Sequence, residues 1–136
     1  MTHYLLDACA VLAVFKDEPE KQKVLDLVEQ ARIGEIRLSI NIVQLLEVYY
    51  DCVYVAGEDA ARARIKTILA EPISVIETIS FDVMYEAGRF KTSYSMSLAD
   101  SIAAATAKQF TTTLVTKDSE FQPAERAGEF SVLWLR

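Results

Sequence analysis

The sequence is short of the residues that many kinds of site require. It has one histidine, His3, two cysteines, Cys9 and Cys52, one tryptophan, 4 glycines and 3 prolines in 136 residues. A single histidine at the start of a strand-like segment argues against Ser-His-Asp and Cys-His catalysis, and with two cysteines it makes a poor zinc set. No glycine-rich loop of the Walker or dinucleotide type is present. Two cysteines are also too few for a disulfide scaffold. Their apolar surroundings predict reduced thiols in a cytoplasmic protein. Long hydrophobic runs are missing too. The longest uncharged stretch, Leu38 to Leu46, is about half the ~18 residues that a membrane span needs. No basic segment precedes an apolar one near Met1, so a secretory leader is not expected. Positive charge is the last shortage. Against 20 Asp and Glu there are 14 Lys and Arg, a net charge of −6, so long-range attraction does not bring this chain to a polyanion.

What is present is half hydrophobic and one quarter charged, the balance of a folded domain. A chain of this length buries roughly two-thirds of its unfolded surface, and no linker or repeat divides it, so residues 1–136 read as one domain. Strands are predicted at His3–Leu6, Ile36–Ser39, Ser74–Ile76, Thr113–Thr116 and Ser131–Leu133. Helices are predicted over Ala8–Phe15, from Asp17-Glu18-Pro19-Glu20 to Gly34, from Asn41 to Ala56, over Glu58–Leu69, Phe81–Thr92 and Ser97–Gln109, and briefly around Ser119–Ala124. Pro19 is expected near the first helical position of the second helix. Strands alternating with helices predict an α/β fold with a mostly parallel sheet covered on both faces.

Four acids stand out. Asp7 and Asp118 each follow a strand, and ligand sites in open parallel sheets form outside the carboxyl ends of the strands. Asp100 is the only charged residue from Ser97 to Ala107 of an Ala-rich helix, and Glu47 lies in the apolar run Ile42 to Tyr50. Neither has a basic residue one helical turn away. Asp51, a turn beyond Glu47, adds repulsion, and Glu47 is preferred because apolar residues enclose it more fully. Each acid alone could be a helix cap or part of a solvated stripe. Clustered together, they would repel unless a cation entered, and all-carboxylate ligands suit Mg²⁺ or Mn²⁺.

The segments His3 to Ala10, Asn41 to Tyr50, Ser97 to Ser101 and Leu114 to Asp118 resemble, in order and spacing, the four acidic blocks of a PIN domain. Among PIN domains the chain looks most like the VapC-type toxins of toxin–antitoxin pairs. The resemblance implies a three-layer PIN-like fold and a metal-dependent endoribonuclease that leaves 5′-phosphate and 3′-hydroxyl ends. It implies Asp7, Glu47, Asp100 and Asp118 as catalytic and metal-holding residues for Mg²⁺ or Mn²⁺, with Thr116 supporting them. It also implies an RNA substrate, a homodimer and a cognate antitoxin, with no membrane association. Cys9 stands where many relatives carry Ser or Thr, and a thiol is the weaker hydrogen-bond donor. Lys16, Arg89, Lys91 and Lys117 are candidate phosphate contacts, each also readable as ordinary surface charge. Two alternatives remain at this point: a PIN fold that binds RNA or protein without cutting, and a receiver-type phosphoacceptor domain. The receiver reading is weakened because a lone Asp7 follows the first strand and Glu77, not an aspartate, follows the third.

Overall fold

The computed structural model describes residues 1–136, with five strands in one all-parallel sheet. In chain order the elements are β1 (His3–Leu6), α1 (Ala8–Phe15), α2 (Lys21–Arg32), β2 (Arg37–Asn41), α3 (Ile42–Ala56), α4 (Glu58–Leu69), β3 (Ile73–Ile76), α5 (Phe81–Ser93), α6 (Leu98–Gln109), β4 (Thr113–Thr116), a 3-10 turn (Ser119–Phe121), α7 (Gln122–Arg126) and β5 (Ser131–Trp134). The strand order is β3-β2-β1-β4-β5. This is the predicted α/β class. It also removes the receiver alternative, because flavodoxin-like folds of that kind run 2-1-3-4-5.

The sheet is covered on both faces because its strands alternate. Leu6, Leu38, Ile40 and Val115 face one core, packed with Val11, Val24, Leu27, Val48 and Ile68 from α1 to α4. Leu5 and Leu114 face the other, with Phe90, Phe121 and the alanines of α6. Small side chains let α6 lie close to the sheet, and its residues Asp100 to Ala107 are all buried. Local chemistry sets the helix ends. The side chains of Asn41, Ser80 and Ser97 accept the Val43, Val83 and Asp100 N–H groups, satisfying first-turn donors that have no partner in the helix. Gly57, at φ 89°, takes the left-handed turn between α3 and α4.

Two of the boundaries that differ from expectation bear on the site. β2 runs on to Asn41, because Ile40 and Asn41 pair with Val75 and Ile76 of β3. Pro19 stays outside α2, which begins at Lys21 after Glu20. No helix is long and apolar enough to cross a membrane. Cys9 and Cys52 are both unbridged.

Candidate active site

β1 and β4 are neighbours at the middle of the sheet, and the chain passes to β2 on one side of β1 and to β4 on the other. That reversal opens a crevice at the carboxyl ends of the strands. A cavity of about 250 Å³ lies there, lined by Asp7, Ala8, Cys9, Leu12, Glu47, Tyr50, Asp51, Asp100 and Asp118. One carboxylate oxygen from each of Asp7, Asp100 and Asp118 falls within 4.8 Å of the other two. The sheet supplies Asp7 and Asp118, and the capped first turn of α6 supplies Asp100. Glu47 enters from α3 and lines the same cavity, outside that tight trio.

The trio is held unevenly. Asp7, 3 % exposed, extends the ladder by donating its N–H to the Val115 carbonyl at 3.0 Å. Its Oδ1 accepts the Ala8 N–H at 2.9 Å, and its Oδ2 accepts the Thr116 hydroxyl at 2.8 Å and the Cys9 thiol at 3.3 Å. Thr116 Oγ1 in turn accepts the Asp118 N–H at 3.0 Å, so one buried hydroxyl ties two of the acids together. The Asp118 carboxylate itself takes only the Glu120 N–H, at 2.9 Å. Cys9 does support Asp7 despite its weaker donor. Burial and the adjacent Asp7 push its thiol up to about 12, so it remains protonated.

No lysine or arginine lines the acid cavity, and burial and mutual repulsion raise the proton affinities. Burial first, and then Asp7, push Asp100 up to about 9. Burial first, and then Asp7, push Glu47 up to about 7. Burial also raises Asp7, against the hydrogen bonds from Thr116, Cys9 and Ala8. Glu47 Oε1 is buried without a hydrogen-bond partner. An all-oxygen cluster with an orphaned carboxylate atom is a donor set that fits a hard divalent cation. Asp51 also lines the cavity, but Lys16 neutralises it at 3.2 Å.

The basic candidates fare differently. Lys16 is outside the lining itself but pairs with Asp51, which lines the cavity, and only that half-exposed pair holds it there. Lys117 turns away from the cavity to Glu18 and Glu20, at 2.9 and 3.5 Å. Arg89 does not reach the pocket. It grips Glu86 at 2.8 Å and Glu129 at 2.7 Å, and Glu129 also binds Lys108, at the end of α6 remote from Asp100. Lys91 is exposed, forms no ion pair and lies outside the cavity lining. Gln44 was not anticipated. Buried in α3, it donates to the Ala99 carbonyl at 2.9 Å and draws the first turn of α6 against α3. The signal available was a lone amide inside an apolar run.

The family described as PIN domain matches residues 4–126. No curated protein matches the sequence. Solved structures with the same fold include VapBC2 from Rickettsia felis bound to a DNA fragment from its promoter, with 17% identity and TM-score 0.76, covering 97% of this chain and 98% of that one. A toxin–antitoxin complex from Klebsiella pneumoniae has 21% identity and TM-score 0.71, with 98% of each chain covered. The sarcin-ricin-loop-cleaving toxin VapC20 of Mycobacterium tuberculosis has 15% identity and TM-score 0.66, covering 89% of this chain and 94% of that one. At such identities the likeness is one of fold.

Proposed function

The chain belongs to the PIN domain family, and from that premise we propose that it is a metal-dependent endoribonuclease, the toxin of a type II toxin–antitoxin pair. The observation that carries the reading is the cavity in which Asp7, Asp100 and Asp118 meet within 4.8 Å beside Glu47, with no side-chain cation to neutralise them. Asp7, Asp100 and Asp118 would hold Mg²⁺ or Mn²⁺, with Glu47 beside them. Such an ion supplies an acidified water and a positive charge facing the scissile phosphate. Asp7 is immobilised through both oxygens and fixes the donor geometry. Thr116 keeps Asp7 and Asp118 in register. Glu47, which lines the cavity with a carboxyl that titrates near neutrality, is placed to take a proton from the attacking water. In-line attack at phosphorus then breaks the bond to the 3′ oxygen, which takes a proton from solvent, leaving a 5′-phosphate and a 3′-hydroxyl.

RNA is favoured as substrate by the relative whose name describes it as cleaving the sarcin-ricin loop. The antitoxin and homodimer expected from the resemblance, and a cytoplasmic location, belong to the same reading. Among the basic candidates, Lys16 is the proposed phosphate contact. It stands beside Asp51 of the cavity lining, and an exposed ion pair of about 1 kcal/mol or less is all that holds it back.

The test is cleavage of total RNA, structured RNAs and single-stranded DNA by purified protein with Mn²⁺, Mg²⁺ or EDTA. Asp7→Asn and Asp100→Asn serve as folded controls. Metal-dependent cutting of RNA, lost in both variants, is expected. Cutting that persists in EDTA or in both variants would refute the mechanism, and cutting confined to DNA would refute the substrate.

A further inference from the structure

Behind Asp118 lies a second charged cluster that the cavity does not include. Glu20, in the segment Asp17-Glu18-Pro19-Glu20 expected to start a helix, is only 5 % exposed. Its carboxylate accepts Arg136 Nε on one oxygen and Lys117 Nζ, at 3.5 Å, on the other. Glu18 takes the same ammonium at 2.9 Å. A buried carboxylate is costly unless cations pair it. Burying Glu20 therefore ties three places together: the turn between α1 and α2, the residue after β4, and the residue that follows Leu135. The turn itself is tightly folded, with Asp17 in the left-handed region at φ 52°.

The tie matters because the Asp118 carboxylate is less restrained than that of Asp7. Asp7 has three side-chain hydrogen bonds, whereas the Asp118 carboxylate has one, from the Glu120 N–H. Its position depends on its backbone. That backbone is fixed on one side by Thr116, whose Oγ1 accepts the Asp118 N–H and whose carbonyl accepts the Leu135 N–H at 3.0 Å. Lys117, between Thr116 and Asp118, is 15 % exposed and pulled away from the cavity, while beyond Asp118 the Glu120 carboxylate accepts the Ser97 N–H at 2.9 Å.

We propose that Glu20 and Lys117, with Glu18 and Arg136, are positioning residues that hold Asp118 in the geometry of the acid trio. The proposal rests on the metal-binding reading of that trio. It replaces a phosphate-contact role for Lys117 with a tether. Glu20 becomes the distant member of the site, 98 positions before Asp118 in sequence.

The experiment measures Mn²⁺ dissociation constants by calorimetry for wild type, Lys117→Met, Glu20→Gln and Lys117→Arg, with folding followed by circular dichroism. Amide spectra of the metal-free proteins report the Asp118 backbone independently. Lys117→Met and Glu20→Gln are expected to weaken Mn²⁺ binding about tenfold, the lower end for removing a group that orients a metal ligand. The Asp118 amide should shift in both. Lys117→Arg, which can span both glutamates, should restore affinity to within about threefold. If Lys117→Met does not fold, Glu20→Gln carries the same expectation. Unchanged affinity in folded variants, or a lower melting temperature with unchanged affinity, would overturn the tether and leave the metal site standing. No Mn²⁺ binding by the wild type would instead overturn the metal-site reading, and the tether with it.

Discussion

Metal binding to this site should be coupled to proton release. Two carboxylates at 4.8 Å repel by about 3.5 kcal/mol at an effective dielectric near 20. The three pairs among Asp7, Asp100 and Asp118 would together cost about 10 kcal/mol if all were ionised, as much as the whole stability of an ordinary domain. Without a cation, protons relieve that repulsion. Burial first, and then that repulsion, raise Asp100 to about 9 and Glu47 to about 7. A cation must displace these protons, so Mn²⁺ affinity should rise about tenfold per pH unit between pH 7 and 9, and more steeply below pH 7 where Glu47 contributes. Calorimetry in two buffers of different ionisation enthalpy counts the protons directly. About one proton per ion is expected at pH 8, and Asp100→Asn should abolish it. Affinity independent of pH, with no dependence on buffer, would refute the electrostatic account.

The same protons set the stability of the metal-free protein. The folded carboxyls titrate above the unfolded ones, so between about pH 4.5 and 9 the unfolded chain holds fewer protons and stability falls as pH rises. Glu20 and Glu129, held down at about 2 by Arg136 and Arg89, lose their contribution only below that window and do not mask it. Mn²⁺ at one hundred times its dissociation constant should restore about 2.7 kcal/mol. At roughly 2.1 cal/mol/K per residue over this length, the shift in Tm is about 9 °C. Asp100→Asn, which mimics the protonated acid, should melt near the wild-type temperature at pH 7 and show little of this shift.

Three other substitutions separate the parts. Thr116→Val removes the donor to Asp7 and the acceptor for the Asp118 N–H. It should cost about 1–3 kcal/mol in denaturant unfolding and at least tenfold in cleavage rate. Arg89→Met breaks the pairs with Glu86 and Glu129. Partial exposure limits the loss to about 1–2 kcal/mol, and Mn²⁺ affinity and cleavage should be unchanged. Lys16→Ala should raise KM for RNA severalfold with kcat nearly constant, and an equal fall in both kcat and kcat/KM would place Lys16 in the reaction itself.

The elements were legible where their causes are local. Asn41, Ser80 and Ser97 stand before apolar helical patterns, and each caps the helix that follows. The candidate acids were legible for a related reason: a carboxylate among alanines or in an apolar run has no nearby partner, so its isolation is written in the sequence. What was not legible depends on pairing across the fold. The extension of β2 to Asn41 is decided by β3, more than thirty residues later. Likewise α2 starts past Pro19, at Lys21, and the Glu20 before it pairs with Lys117 and Arg136 from distant parts of the chain.

The basic residues show the same division. Arg89 meets Glu129 at a separation of 40 positions and Lys117 meets Glu18 at 99, so no window of neighbouring residues could tell a committed cation from a free one. Of the four candidates, the fold commits Arg89 and Lys117 to carboxylates of their own and leaves Lys16 weakly held. An acidic chain has this consequence generally. With acids in excess, a cation tends to find an intramolecular partner unless topology strands it, so a phosphate contact is identified by the weakness of its pairing and not by its charge. Lys91 is unpaired too but lies away from the acids, whereas the weakly paired Lys16 lies beside Asp51, on the wall of the same cavity that holds Glu47 and the three aspartates.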